Sequence, residues 1–232
     1  WFPNGTMGFI LSFQMVVFAF TGIELVGLTA GETEDPEKVI PMAINNIPLR
    51  IILFYVGSLA IIMSIYPWTA VNPSASPFVA VFTAVGIAAA AGIVNFVVLT
   101  SAASATNSGI FSTGRMIYAL AKRGHAPSSM RRLTHSSVPY QATIFSAAVL
   151  LITVVLNYVM PEAVFVMITS ISTFCFIFIW AMMVICHLKY RKKNPELAAQ
   201  SKFKMPLYPV MNYVILGFFV FVLAILALNE DT

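Results

Sequence analysis

Charged side chains are scarce in this sequence. Lys, Arg, Asp and Glu together make up 9% of its 232 residues, whereas hydrophobic residues make up 59%, and the mean hydropathy is +0.87. A soluble domain carries about 25% charged residues, so this composition excludes a soluble globular protein. We therefore expect an integral membrane protein.

Cysteine and histidine are also rare. Cys175 and Cys186 lie on one predicted helix, too far apart along its axis to approach the less than about 7 Å between Cα atoms that a disulfide needs. His125, His135 and His187 fall in basic segments without metal-ligand spacing. We therefore expect no disulfide, no metal and no cofactor.

Long apolar runs are plentiful. A membrane helix needs about 20 such residues, and runs of that order predict spans at 8–30, 48–70, 80–112, 141–159, 164–187 and 208–228. The fold class is therefore all-α and polytopic, with residues 1–232 as one membrane domain. The opening "WFPNGT" has neither Met nor a basic n-region, so we expect a fragment and no secretory signal.

The basic residues predict the orientation of these spans. All 13 Lys and Arg residues fall in or beside the loops 31–47, 113–140 and 188–207, which follow the first, third and fifth predicted spans. The positive-inside bias makes these loops cytoplasmic. The net charge of +4 then reflects topology and requires no nucleic-acid partner. The segment "HLKYRKK" has a second interpretation, which is contact with anionic lipid.

The stretch "FAFTGIEL" places Gly22 and Glu24 inside an apolar run. A charge near a membrane helix centre costs about 2.5–3.5 kcal/mol, and glycine weakens a helix interior by about 1 kcal/mol. One interpretation is a broken helix with exposed carbonyls and a carboxylate that carries a proton. The other is that Glu24 leans toward the cytoplasm near Gly31, with Gly22 as a packing contact.

The segment "TSAASATNSGIFSTGRM" is a polar run at the end of the third span. Thr100, Ser104 and Ser108 recur at four-residue spacing, with Ser101 beside them, so a helix would carry one small, hydroxyl-bearing face. Tight helix packing explains such a face. A water-lined or substrate-lined face explains it too, and Asn107 favours that interpretation because a buried amide must find partners.

Two segments carry a resemblance. "FAFTGIELVGLTAGETEDPEKVIPMAI" and "FSTGRMIYALAKRGHAPSSMRRL" resemble the sixth helix and the loop after the eighth helix of bacterial amino acid permeases in the amino acid–polyamine–organocation superfamily. The likeness covers the whole chain as about helices six to eleven of a twelve-helix transporter. It implies two inverted five-helix repeats with broken helices and a substrate site at mid-membrane.

The resemblance also implies site residues. The substrate ammonium would meet the backbone of Phe18, Ala19, Phe20 and Thr21. Gly22 would permit the helix break, and Glu24 would serve as a gate or proton-coupling group. Ser101 and Ser104 would border the cavity from the eighth helix. The other half of the site would come from helix one, which this chain does not contain.

The resemblance implies secondary active transport across the bacterial inner membrane. It is nearest to family members that carry D-serine, D-alanine and glycine inward with protons by alternating access. The implied partners are the amino acid, protons, the lipid bilayer and the remaining helices, 1–5 and 12, of the same polypeptide. The same motifs also fit a permease for another class of amino acid.

Two other kinds of protein are less consistent with the residues. An intramembrane enzyme should pair catalytic groups at membrane depth, whereas Glu24 is the only acidic or basic side chain clearly inside a predicted span. A channel should present a ring of like groups and conduct without coupling. We therefore expect a carrier and no enzyme.

Overall fold

The structure is a computed structural model that describes residues 5–71 and 76–228. Within these ranges every regular element is helical, which confirms the predicted all-α class. The α-helices in chain order are α1 Gly5–Ala19, α2 Leu25–Leu28, α3 Pro36–Arg50, α4 Gly57–Ile65, α5 Pro77–Ala84, α6 Ala88–Lys122, α7 Tyr140–Val159, α8 Pro161–Lys193, α9 Pro195–Gln200 and α10 Val210–Leu228.

Helices long and apolar enough to cross a bilayer recur along the described chain. There are five within the described residues, and they are Pro36–Ile65, Ala89–Lys122, Tyr140–Val159, Met167–Lys193 and Val210–Ala227. The apolar α1 is shorter, at 15 residues. Because about 20 residues are needed to span the hydrocarbon core, these helices identify a multi-pass membrane protein.

Two predicted spans are each divided in the structure. The span 8–30 consists of α1, a turn at 20–24, α2 and a 3₁₀ turn at Thr29–Glu32. The span 80–112 lies across α5 and α6, which are separated at 85–87. Hydropathy reports how apolar a segment is, and it does not report where the hydrogen-bond ladder is interrupted.

The predicted loop 31–47 differs most from the structure. Helix α3 begins at Pro36 and continues through a π-helical stretch, Ile51–Val56, into α4. Pro36 suits a first helical position. Pro41 and Pro48 lie inside the helix, where proline is disfavoured. Proline removes a ladder hydrogen bond and favours local widening, so the π-helical stretch after Pro48 accommodates the disruption.

The other two predicted cytoplasmic loops are also shorter in the structure. Helix α6 runs on to Lys122, and α8 runs on to Lys193. Part of the basic charge therefore sits on helix ends. Cations in a last turn interact favourably with the helix dipole, and this interaction helps both helices to continue beyond their apolar runs.

The chain divides into two compact units, one of residues 1–29 with 152–232 and the other of residues 30–151. In the first unit Val17 of α1 packs with Ile177 of α8 and with Phe219 and Val222 of α10 in a buried core. Burial of these side chains holds the short α1 against two membrane-length helices.

Aromatic contacts add to this packing between α1 and α10. The Phe13 ring meets the rings of Phe218 and Phe221 edge-on, with centroids 6.1 Å and 5.7 Å away. Edge-to-face pairs of this kind contribute about 0.5–1.5 kcal/mol beyond burial. They fix the rotation of α1 about its own axis.

A buried polar contact joins α1 to α8. Gln14 Nε2 donates to Ser170 Oγ at 2.8 Å, and both side chains are buried. Thr173 is fully buried and its hydroxyl donates to the Thr169 carbonyl of its own helix. Because a polar group in hydrocarbon must find a partner, the Gln14 contact sets the register of α1 on α8.

The second unit contains a close approach between α6 and α7. A Cβ added at Gly114 would lie 2.9 Å from Thr143 Oγ1 and 3.4 Å from Thr143 Cα. Thr143 Oγ1 itself donates to the Pro139 carbonyl at 3.0 Å, so it is not free to move away. Gly114 is therefore the small residue that lets the two helix backbones meet.

Candidate functional site

The break after α1 is a change in the hydrogen-bond ladder. Phe20 N donates to the Val17 carbonyl at 3.1 Å and Thr21 N donates to the Phe18 carbonyl at 3.0 Å. These are three-residue steps, where an α-helix has four. Helical structure resumes at Leu25. The five residues from Phe20 to Glu24 thus form a turn between two helical pieces.

Gly22 supplies the backbone conformation of this turn. Its φ is +101°, and a Cβ added there would have no atom within 4 Å. The need for glycine is therefore conformational and not a matter of space. L residues rarely adopt positive φ values, so a side chain at this position would strain the turn.

The Glu24 carboxylate is bonded within the turn. Gly22 N donates to Glu24 Oε1 and Oε2, each at 3.1 Å, and the contact is partly buried. A carboxylate accepts such charge-assisted bonds well. Glu24 thus provides an acceptor for a backbone N–H at the point where the helical hydrogen-bond ladder is interrupted. The sequence signalled a carboxylate beside a glycine but gave no sign of this bond.

The carbonyls of the turn differ in their availability. The Phe18 carbonyl accepts from Thr21 N at 3.0 Å and from Thr21 Oγ1 at 2.8 Å, so two local donors already use it. Among the described residues, no hydrogen bond reaches the carbonyls of Ala19 and Thr21. Phe18 and Ala19 belong to the last turn of α1, where the helix dipole is negative.

The predicted serines lie in the other unit. Ser101 and Ser104 are on α6, and both are exposed. Neighbouring hydroxyls bond to their own helix, because Thr100 Oγ1 donates to the Phe96 carbonyl at 3.0 Å and Ser108 Oγ donates to the Ser104 carbonyl at 3.0 Å. Residues 18–24 therefore lie together in the first unit, whereas the two serines belong to the second unit.

No group of three His, Cys, Asp or Glu side chains that could hold a metal occurs among the residues searched, 5–71 and 76–228. Carbonyl oxygens, a negative helix end and a carboxylate lie within one turn of chain, and each attracts a positive group.

Comparison with known proteins identifies the family of this chain. The family described as "Amino acid permease" matches residues 1–232. In Bacillus subtilis strain 168 the amino-acid permease AapA is 66% identical over 231 residues. In Escherichia coli K12 the D-serine/D-alanine/glycine transporter is 52% identical over 234 residues.

Both alignments cover 100% of this chain and 50% of the relative, so the chain spans about half the length of the curated relatives it matches. No solved structure matches it. The relatives are transporters and permeases by name, in agreement with the expectation that the chain is no enzyme. The resemblance in the sequence is confirmed, and the chain belongs to the amino acid permease family.

Proposed function

We propose that the complete protein carries a small neutral amino acid into a bacterial cell with protons, by alternating access across the inner membrane. The observation that carries this proposal is the turn at residues 20–24, which interrupts an apolar helix and presents carbonyls beside a carboxylate. Family membership supports amino acid transport, and the name of one relative supports D-serine, D-alanine or glycine as the substrate class.

The turn would bind the ammonium group of the substrate. The Ala19 and Thr21 carbonyls are the candidate ligands, because the Phe18 carbonyl is already bonded twice. The negative end of α1 adds to the attraction. The remaining predicted residues, Phe20 and Gly22, shape the turn, while Ser101 and Ser104 would border the cavity. The substrate carboxylate would be held by helix one, outside this chain.

Glu24 would couple the substrate to the proton or close the gate. Its carboxylate accepts the Gly22 N–H, so a change in its protonation would change a bond that holds the turn. A ligand or proton drives a conformational change only where it binds the two states unequally. The Glu24 contact would therefore link protonation of the carboxylate directly to the backbone conformation of the turn.

Counterflow tests the carrier mechanism. Vesicles that contain the complete protein and are preloaded with unlabelled glycine should take up labelled glycine several times faster than empty vesicles, because a carrier returns faster when loaded. Initial rates of labelled uptake are the measurement, and preloaded vesicles without the protein are the control. Equal rates in loaded and empty vesicles would contradict a carrier and favour a channel, whose flux needs no return step.

We further propose that the loops 31–47, 113–140 and 188–207 face the cytoplasm, since all Lys and Arg lie in or beside them. In the complete protein without Cys175 and Cys186, Thr69→Cys should react with an impermeant thiol reagent in intact cells. Ser128→Cys and Asn194→Cys should react only after the cells are opened. Thr69 and Ser128 are both exposed, so a reversed pattern would overturn the orientation.

A further inference from the structure

A polar cavity lies far along the chain from the helix break. It measures about 140 Å³ and lies at the end of α8, where α9 and the following segment fold back against it. A single water needs only about 10–15 Å³ of such volume, so the cavity has room for a larger polar group. Its lining consists of His187, Tyr190, Arg191, Ala198, Ser201, Phe203, Lys204 and Met205.

The lining carries positive charge and no compensating carboxylate. Arg191 and Lys204 supply two cations, and Ser201 and Tyr190 supply hydroxyl donors. No Asp or Glu belongs to the lining. A cleft lined by one sign of charge concentrates the opposite ion, so the expected occupant is an anion.

The Tyr208 ring contacts two planar donors of the site, the Arg191 guanidinium and the His187 ring. The Arg191 guanidinium lies 4.0 Å from the Tyr208 ring centroid, and the His187 ring meets the same ring edge-on at 5.6 Å. Stacking on an aromatic face orients a guanidinium without using its hydrogen bonds. Consistently, Arg191 Nε is buried with no hydrogen-bond partner in the described part of the chain.

His187 is held on its other side by Asn212. The Asn212 Nδ2 atom lies 3.0 Å from His187 Nδ1, and Asn212 is fully buried. With the amide nitrogen as donor, Nδ1 accepts and the neutral ring carries its hydrogen on Nε2. His187 then remains a donor, like every other charged or hydroxyl group in the lining.

We propose that this cavity binds a phosphate group. A planar arginine fork matches phosphate oxygens bidentately, and a lysine adds a point charge. The phosphate can come from an anionic lipid headgroup or from free phosphate in solution. Phe203 and Met205 in the lining give the lipid's glycerol region an apolar surface, whereas free phosphate needs only the donors.

The test uses the complete protein in phosphatidylcholine nanodiscs with increasing phosphatidylglycerol, with and without inorganic phosphate. Native mass spectrometry counts the phosphatidylglycerol and the phosphate that stay bound. Arg191→Gln and Lys204→Gln should each weaken binding roughly tenfold, the loss of one charge-assisted bond. Lys204→Gln leaves the Arg191 stack on Tyr208 in place, and thermal unfolding of each variant checks that it is folded.

Lys192→Gln is the matched control, because it removes the same charge from the same helix end but lies outside the lining. It should change binding less than about twofold, a difference of a few tenths of a kcal/mol. Displacement of phosphatidylglycerol by inorganic phosphate, or retention of phosphate alone, assigns the site to free phosphate. Lipid retention that phosphate does not reduce assigns it to the headgroup.

Two results would overturn the proposal. One is a loss in Lys192→Gln as large as in Arg191→Gln, which would show diffuse attraction to the helix end. The other is wild-type protein that retains neither phosphatidylglycerol above phosphatidylcholine nor inorganic phosphate.

Discussion

In vesicles that contain the complete permease, Glu24→Gln should abolish accumulation driven by a pH gradient while exchange of internal for external amino acid continues. One pH unit corresponds to about 1.4 kcal/mol, so one coupled proton supports about tenfold accumulation. The variant should fall to an accumulation ratio of about one. Uphill uptake needs a group that titrates between the two states, whereas exchange needs only the cavity and its gates.

The bond between Glu24 and Gly22 makes glutamine the informative substitution. The glutamine amide oxygen can still accept the Gly22 N–H that both carboxylate oxygens now accept, so the turn is kept and the titration is removed. Glu24→Ala is the comparison, because it removes both. We expect the alanine variant to lose exchange as well.

Gradient-driven uptake and counterflow, measured side by side at matched protein levels, distinguish the outcomes for Glu24→Gln. Normal accumulation would end the proton-coupling proposal and leave Glu24 as a backbone cap. Loss of both activities, with the protein still folded, would instead assign Glu24 to a gate that needs its negative charge.

Gly22→Ala should reduce the initial rate of uptake by about tenfold or more. Left-handed backbone costs an L residue roughly 1–2 kcal/mol, and the φ of +101° at Gly22 lies outside the ordinary left-handed region. The variant must therefore strain the turn or change its shape, and either displaces the carbonyls at Ala19 and Thr21. Counterflow and thermal unfolding of the complete protein measure the two effects.

Gly27→Ala is the control for this substitution. Gly27 lies in α2, five residues further on, has no positive φ and has nothing within 4 Å of an added Cβ. Both substitutions add one methyl group to open space, so they differ only in backbone conformation. Equal activity of the two variants would show that the Gly22 conformation is not needed for transport.

Much of the fold follows from hydropathy alone. The run at 141–159 matches α7 at Tyr140–Val159, and the run at 208–228 matches α10 at Val210–Leu228. In both segments one apolar stretch is long enough to span the bilayer, and neither α7 nor α10 contains a proline. Burial in lipid then leaves helix as the structure that satisfies the backbone.

The remaining features depend on local compensation, which a hydropathy pattern does not describe. Pro41 and Pro48 lie inside a helix that continues through a π-helical stretch. At the candidate site, Gly22 and Glu24 could be singled out by their cost in an apolar run. The bond between them could not, because it depends on the conformation that the glycine adopts.

The hydroxyl stripe on α6, formed by Thr100, Ser101, Ser104 and Ser108, shows a different limit of prediction from sequence. Thr100 and Ser108 bond to carbonyls of their own helix, which is how an isolated hydroxyl is satisfied in hydrocarbon. Such a stripe is compatible with lipid, with a neighbouring helix or with a cavity. Residue type alone therefore cannot assign Ser101 and Ser104 to a substrate site.

The close approach at Gly114 has a mechanical consequence. Thr143 stands 2.9 Å from where a Cβ at Gly114 would be, and its hydroxyl is tied to Pro139. Sliding α7 along α6 would move the Thr143 side chain across the Gly114 backbone, and packed groups resist such deformation. Any rearrangement that slides α7 along α6 must therefore first separate the two helices at Gly114.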